Sequence, residues 1–475
     1  KLKEVSQVVS ASTLINKVLG VKYMYNESID VVENPTTGMR EINIHARPYR
    51  RLEDTCPYCM NGEKPCKRMR PRYDRTDHEK TWRALDWNNL RVRIIGPANR
   101  VECPIHGVVT VWVPWAEPDC NFTKDFDSLV AWLGERLCKT DVAELMMIDW
   151  ETVGRCMSRV RKDLEPDPTV RYNGLVNIGI DETSYKKGHK YITVVIDHDR
   201  NQVVWVHKGK GREIIDLFFE ELTEEQRASI KVVTGDGARW ISDSVRHYCP
   251  NATRCMDSFH VVEWVNEALS SLRVSLYKKA QKELDRLEKL AEKQSAPGPD
   301  GKKKRGRPPK DKVTPEQLEQ ARATVKDLDK TKYPLGKNPE NLTNNQQVKL
   351  ELIQNSYPEL YEAYQMKEEL RLILHLTDVD ECTALLEEWI AKAKVFDMKE
   401  FQALAEKIDR NKKYILNTIR MRMSNARIEA TNNKIKLIIR RAFGFRNIQH
   451  LIDMIILICS DLIIPLPNRP SRKTA

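Results

Sequence analysis

The sequence predicts a multidomain α/β protein: an α/β core interrupted by a helical insertion and preceded by a metal-held module. Three observations carry this. Apolar, β-branched runs cluster between Val176 and Met256 and alternate with helix-like stretches. Two short Cys/His pairs, Cys56–Cys59 and Cys103–His106, precede them. A highly charged, helix-rich stretch from about Ser270 to Asn417 separates the core from a last apolar helix. The chain of 475 residues suits two to four domains. The expected divisions are 1–115 for the metal-held region, 116–168 for a helical unit, 169–269 with 418–465 for the core, 270–417 for the insertion and 466–475 for a tail.

Composition narrows the class. Hydrophobic residues make up 41%, enough for real cores. Lys and Arg outnumber Asp and Glu by 79 to 68, and the net charge of +11 favours a polyanionic partner. The 11 cysteines form no dense framework, which suits a reducing compartment with a few thiols on metal. No secretory signal opens the chain; it begins at Lys1 rather than Met, as a processed or trimmed terminus would. The longest apolar run, Leu451 to Pro467, is broken by Asp453 and Asp461 and is short for a bilayer, so a soluble protein without membrane contact is expected.

Cys56-Pro57-Tyr58-Cys59 and Cys103-Pro104-Ile105-His106 each place two soft ligands on a tight turn. Together they can close a tetrahedral zinc site, structural because four protein ligands leave no open position. Cys66 and His78 lie in the excursion between the pairs as possible substitutes. Leu90 to Ile95 and Val108 to Val113 alternate apolar and polar residues, as the hairpins of a zinc ribbon do.

From Phe126 to Lys162 the apolar spacing is helical. Asp149 is positioned to cap a helix with Val153, Met157 and Val160 on one face and Arg155, Arg159 and Arg161 on another. Short helices, a turn and a basic helix read as a helix-turn-helix whose arginines meet DNA; a plain small helical bundle gives the same pattern.

The core opens with three strands, Val176 to Ile180, Tyr191 to Ile196 and Val203 to His207. A helix over Glu213 to Leu222, a strand over Ile230 to Thr234, a helix over Arg239 to Tyr248, a strand over Thr253 to Met256 and a helix over Ser258 to Leu269 follow. A three-strand meander followed by alternating helix and strand is the element order of a ribonuclease-H-like domain. In that topology the first and fourth strands are neighbours. Asp181 and Asp236, which close their apolar runs, would then meet at one sheet edge. A third carboxylate, Glu429, lies beyond the insertion with Asn433, Lys436 and Arg440 at helical spacing. That face can hold metal and touch phosphate, or be merely solvated. Oxygen ligands converging from strand ends and a helix suit hard divalent cations and phosphate-cutting chemistry. Glu182 is the rival first ligand, disfavoured because strand neighbours point to opposite faces.

In the insertion, Lys302-Lys303-Lys304-Arg305-Gly306-Arg307-Pro308-Pro309-Lys310 resembles an AT-hook, in which Arg305 and Arg307 enter a narrow minor groove. The alternative is a flexible basic loop with phosphate contacts alone. Leu272 to Glu292 and Pro315 to Leu328 can form a helical hairpin around it. Lys434, Lys436, Arg440, Arg441 and Arg446 could track phosphates after Glu429.

Several segments, taken in order, resemble the bacterial DDE insertion-sequence transposases of the ISL-three family. They are Arg100 to Gly107, Val113 to Glu117, Gly179-Ile180-Asp181-Glu182, Gly235-Asp236-Gly237, Met256-Asp257-Ser258-Phe259-His260 and Ser424 to Glu429. The resemblance runs from about Cys56 to Ile463. It implies a zinc ribbon, a helix-turn-helix and a ribonuclease-H-like domain with Asp181, Asp236 and Glu429 as the catalytic triad. Asp257 and His260 correspond to an auxiliary motif after the second Asp; His260 could equally hydrogen-bond within the core. The resemblance also implies a homodimer acting on the terminal inverted repeats of an element and on target DNA, in the bacterial cytoplasm with the nucleoid. The triad implies two magnesium (or manganese) ions per site and in-line hydrolysis followed by strand transfer. The alternatives are a catalytically silent zinc and helix-turn-helix regulator, or a nuclease without strand transfer.

Overall fold

A computed structural model describes residues 11–33, 38–61, 65–88, 90–256, 258–295, 313–422, 426–442 and 444–466, with the side chains of 11, 12, 14, 16, 295 and 426–429 left aside. The N-terminal region holds helix α1 (Ala11–Leu19), strands β1 (Met24–Glu33) and β2 (Arg40–Pro48), the short helix α2 (Pro57–Met60), and strands β3 (Glu79–Arg83), β4 (Arg91–Pro97), β5 (Arg100–Cys103) and β6 (Gly107–Thr110). β1 to β4 form one sheet, ordered β1-β2-β4-β3, and β5 and β6 a separate hairpin. In β4 every second residue is buried, as a sheet with one packed face requires. The two alternating stretches lie in different sheets: β4 pairs with β2 and β3, and β6 with β5. Ile44, Ile94, Trp82 and Trp115 fill the core beneath the larger sheet.

Three helices follow, α3 (Lys124–Gly134), α4 (Lys139–Met146) and α5 (Trp150–Leu164). Asp149 caps α5 by accepting from the Thr152 N–H at 2.9 Å, as its position predicts. Arg83 ties this unit to β3 by donating to the carbonyls of Met146 and Met147, at 2.6 and 3.1 Å, where α4 leaves those acceptors free.

The central sheet contains β7 (Asn177–Lys186), β8 (Lys190–Asp197), β9 (Gln202–Lys208), β10 (Val232–Gly235) and β11 (Thr253–Met256), ordered β11-β10-β7-β8-β9. β7, β8 and β9 are antiparallel neighbours, while β10 pairs in parallel with both β7 and β11. All four residues of β10 are buried, as expected for a strand covered on both faces. Helices α6 (Arg212–Glu221), α7 (Glu224–Ser229) and α8 (Arg239–Tyr248) supply the crossovers.

Helix α9 spans Ser258–Ser295. The sequence pattern gives two helical stretches, Ser258 to Leu269 and Leu272 to Glu292, yet no Gly or Pro interrupts 270–295. One continuous helix thus leaves the sheet and enters the inserted region. There it packs on α10 (Pro315–Lys330), with Arg322 Nη2 on Glu288 at 2.8 Å, so the expected helical hairpin forms. Helices α11 (Lys332–Leu335), α12 (Asn344–Ser356), α13 (Pro358–Ile373), α14 (Val379–Val395) and α15 (Lys399–Arg420) complete this part around Trp389, Phe401 and Leu386. Its last helix returns to the sheet: Asn417 and Thr418 donate to the carbonyls of Arg254 and Met256 at 3.0 and 2.6 Å. Helices α16 (Ala426–Arg441) and α17 (Ile448–Cys459) close the chain. Among the described residues, no helix is long and apolar enough to cross a membrane.

One hydrophobic cluster joins α3–α5 to the central sheet. Val153, Met157 and Val160 of α5 share it with Leu451, Met454 and Ile455 of α17 and with Ile192 and Val194 of β8. A Cβ on Gly154 would collide with the His450 ring, so glycine is what allows α5 to lie this close to α17.

Lys139 is buried in the same region with its ammonium over the rings of Trp150 and Phe445, 4.3 and 5.0 Å from their centroids. Burial lowers its pKa from 10.5 to about 8. A depressed lysine costs stability while charged, and the cost is relieved as pH rises from about 8 toward 10.5. Lys139→Met is therefore expected to stabilise the protein at pH 7. The gain should be on the order of 2–3 kcal/mol, less the cation–π attraction that is lost. Thermal melts across pH check this: wild type should gain on the variant above pH 8, and parallel curves would reject it.

Candidate active site

Asp181 lies within β7, which continues to Lys186, rather than at its end. Asp236 directly follows β10. The parallel register pairs Val232 with Asn177, Val233 with Ile178 and Thr234 with Gly179. Continued two pairs further, it sets Asp236 opposite Asp181. The turn after β10 is closely packed. A Cβ on Gly235 would press on Ile241 and the Ile180 carbonyl, and one on Gly237 would strike Trp264. The Asp236 carboxylate accepts from the Ala238 N–H at 2.9 Å, which orients it. Arg254, buried on β11, donates to the carbonyls of Gly235 and Asp236 and fixes the peptide units on which that carboxylate stands.

Asp181 accepts from the Glu182 N–H at 2.8 Å and from the Asn432 side-chain amide. Burial pushes its pKa up and the negative charge of Asp236 adds to this, while His260 and the Asn432 amide act in the opposite sense. Glu182 is also raised, first by burial and then by the charges of Asp236 and Asp181. It accepts from the Gly211 N–H at 2.7 Å, at the start of α6. Two desolvated carboxylates that repel each other are what a cation would relieve.

Glu429 belongs to α16, one turn before Asn432, and α16 packs on β7; its side chain is among those left aside. Of the expected face, Asn433, Lys436 and Arg440 are exposed, as is Lys434. Ile435 and Ile438 fill the core. The amide that reaches Asp181 is thus that of Asn432, not Asn433. Arg441 is half-buried and donates to the Glu135 carbonyl at 3.4 Å. His260 sits on the first turn of α9 with Nδ1 3.2 Å from Glu263; Asp257 lies outside the described residues. Lys407 of α15 rests 3.6 Å over the Trp264 ring, in the layer that covers Gly237. Burial lowers its pKa, with Glu267 and Asp236 opposing. Nothing in the sequence marked Asn432, Arg254 or Lys407. The only available signal was the buried-polar character that their apolar neighbours imply.

The expected basic face of α5 is largely engaged within the fold. Arg159 forms a two-pronged pair with Asp127 at 2.6 and 2.7 Å, and Arg161 pairs with Glu165 at 3.0 Å. Arg155 stays exposed beside Thr152 and Asp149. The reason is that α5 is packed against both α3 and α17. Arg305 and Arg307 lie outside the described residues.

Away from the sheet, ligand atoms of Cys56, Cys59, Cys103 and His106 all lie within 4.8 Å of one another. Cys59 Sγ is 3.7 Å from Cys103 Sγ, and His106 Nδ1 is 3.5, 3.5 and 3.6 Å from the sulfurs of Cys56, Cys59 and Cys103. Zinc bonds of about 2.3 Å to sulfur and about 2.0–2.1 Å to nitrogen give tetrahedral edges of about 3.8 and 3.6 Å. The cluster fits such an ion. Cys66 lies outside it, accepting from Arg70 at 3.4 Å, and His78 lies near Thr76 and Asn99. Burial pushes the Cys56 thiol up to about 11. Burial opposes ionisation of Cys103 as well, but the N–H groups of Ile105 and His106 outweigh it and bring that thiol to about 6.

A family model described as "Transposase", that of the ISL-three DDE group, matches residues 178–455. The transposase of insertion sequence element IS1557 from Mycobacterium tuberculosis is 39% identical over 404 residues, covering 85% of this chain and 87% of that protein. The transposase of IS1001 from Bordetella parapertussis is 26% identical over 310 residues, covering 64% and 66%. The matched segment contains Asp181, Asp236 and Glu429, and the chain belongs to the ISL-three family of DDE transposases.

Proposed function

We propose that this protein is a transposase that binds the ends of its insertion sequence and carries out metal-dependent strand cleavage and strand transfer. The observation that carries this reading is the register of β7 and β10, which sets the buried Asp181 beside a second aspartate, Asp236, whose charge opposes its ionisation. The strand order, with one antiparallel meander and two parallel strands, supports a ribonuclease-H-like core.

Asp181, Asp236 and Glu429 would hold two magnesium or manganese ions. When bound, such a pair activates water or a 3′-hydroxyl and neutralises the leaving oxygen of an in-line displacement. The protein's own groups prepare the site. Asn432 and the Glu182 N–H orient Asp181, and Arg254 fixes the turn bearing Asp236. His260 offers an imidazole beside Asp181. On the exposed side of α16, Asn433, Lys436 and Arg440 are available to phosphates, with Arg155 on α5 as a further contact. The Cys/His cluster would hold one structural zinc. The active assembly would be a homodimer on double-stranded DNA in the bacterial cytoplasm, engaging both inverted repeats and then the target.

The test uses a supercoiled plasmid carrying the protein's own element, with magnesium, beside Glu429→Gln. Wild type should cut at the element ends and join them to target DNA. The variant should bind ends in a gel shift without cutting, a loss of at least about 10³-fold. Cutting without joined products would identify a nuclease, and tight binding without wild-type cutting a regulator.

A further inference from the structure

Asn432 is polar, 8% exposed, and lies on α16 one turn after Glu429. Its amide nitrogen donates to Asp181 Oδ2. Its amide oxygen is buried and, among the described residues, meets no donor. An unmet buried carbonyl is costly, so something normally satisfies it. Covalent geometry keeps this oxygen within one amide group of the Asp181 carboxylate. The same site gathers three carboxylates, Asp181, Asp236 and Glu182, close enough for their charges to interact. A cation is the partner that these acceptors share, and amide oxygens are accepted ligands for hard divalent ions. Turning the amide about its last torsion puts the oxygen against Asp181, an arrangement that a cation between them would stabilise.

We propose that Asn432 is a fourth oxygen ligand of this centre. In the ion-free protein it orients Asp181 through its amide nitrogen, and it turns its amide oxygen to the divalent ion that Asp181 holds. The inference rests on the metal-dependent reading above. A neutral ligand has a physical advantage here, because it adds coordination without adding to the repulsion among the carboxylates. It also ties α16, and with it Glu429, to β7, so that ion binding and seating of the third carboxylate become coupled.

The experiment titrates manganese into the full chain without DNA, reading bound ion by electron paramagnetic resonance at pH 8. Wild type, Asn432→Leu, Asn432→Asp and Asp181→Asn are compared, each checked for native circular dichroism. Leu keeps the branched shape but lacks both amide functions, and should weaken binding about 10-fold or more. Asp keeps the oxygen but lacks the donor, and should bind within about 3-fold of wild type at pH 8, with a steeper loss on acidification. Should Leu not fold, the Asp variant alone decides. Wild-type affinity in Leu, or a loss of 10-fold or more in Asp, would overturn the proposal while Asp181→Asn still loses the ion. Unchanged binding in Asp181→Asn would instead reject the metal-dependent reading itself.

Discussion

Asp181→Asn is expected to reduce end cleavage by at least about 10³-fold and to make the ion-free protein more stable. The two effects share one cause. Asp181 is buried next to Asp236, and both circumstances disfavour its charge. Its carboxyl therefore keeps its proton to higher pH in the folded state than in the unfolded chain. For such a group stability is greatest below the ordinary value of 3.8 and falls as pH rises through the raised folded value. As pH rises above 3.8 the fold carries more of the penalty of burying that charge, offset in part by Asn432 and the Glu182 N–H. The amide variant removes that charge with little change of shape, and should gain ~0.5–2 kcal/mol. Its melting temperature should exceed that of wild type at pH 8 in chelator, and the gap should close on acidification. Added magnesium should raise the wild-type midpoint and leave the variant nearly unmoved. A variant that cuts normally, or one less stable than wild type in chelator at pH 8, would contradict the assignment.

Removing the proposed zinc should have the second large effect. The cluster joins two segments distant in sequence, the turn around α2 and the β5–β6 hairpin. Structural zinc in small modules contributes apparent binding energies of ~10–16 kcal/mol, nearly all of it folding energy. Cys103→Ser should release one zinc per chain and abolish specific end binding. The central sheet should persist, because its cores lie elsewhere. Zinc uptake should release protons at neutral pH, since Cys56 without metal holds its proton to about 11. Affinity should for that reason already fall with pH in the neutral range, and more steeply below about 6, where Cys103 also takes a proton. Zinc content by mass spectrometry and a chelator titration followed by gel shift test this. Full end binding by a zinc-free protein would refute it.

The carboxylates and the Cys/His pairs were legible because their signals are local. A Cys-x2-Cys turn brings its own two sulfurs together, and a carboxylate that closes an apolar run tells which strand carries it. The order of strands and helices likewise implied that the first and fourth strands adjoin, as β7 and β10 do. Even the continuity of α9 to Ser295 was present in the residues, which contain no helix breaker between 270 and 295.

Other features depend on contacts that no local pattern encodes. Helical spacing placed Glu429, Asn433, Lys436 and Arg440 on one face but could not set the rotation of α16 against the sheet. Burial of Ile435 and Ile438 sets it, and brings Asn432 to Asp181. Arg159 had the spacing of a surface contact, yet Asp127, on another helix, engages it. The α5 helix had the composition of an exposed recognition helix until α17, at the other end of the chain, packed on it through Gly154, His450 and the Ser158–Asp453 hydrogen bond. The sequence by itself determined which chemical groups this protein carries and in what order its elements run, because propensity, periodicity and ligand spacing act within a few residues. Tertiary structure alone decided which polar groups are buried together, because a side chain's surroundings depend on elements hundreds of residues away.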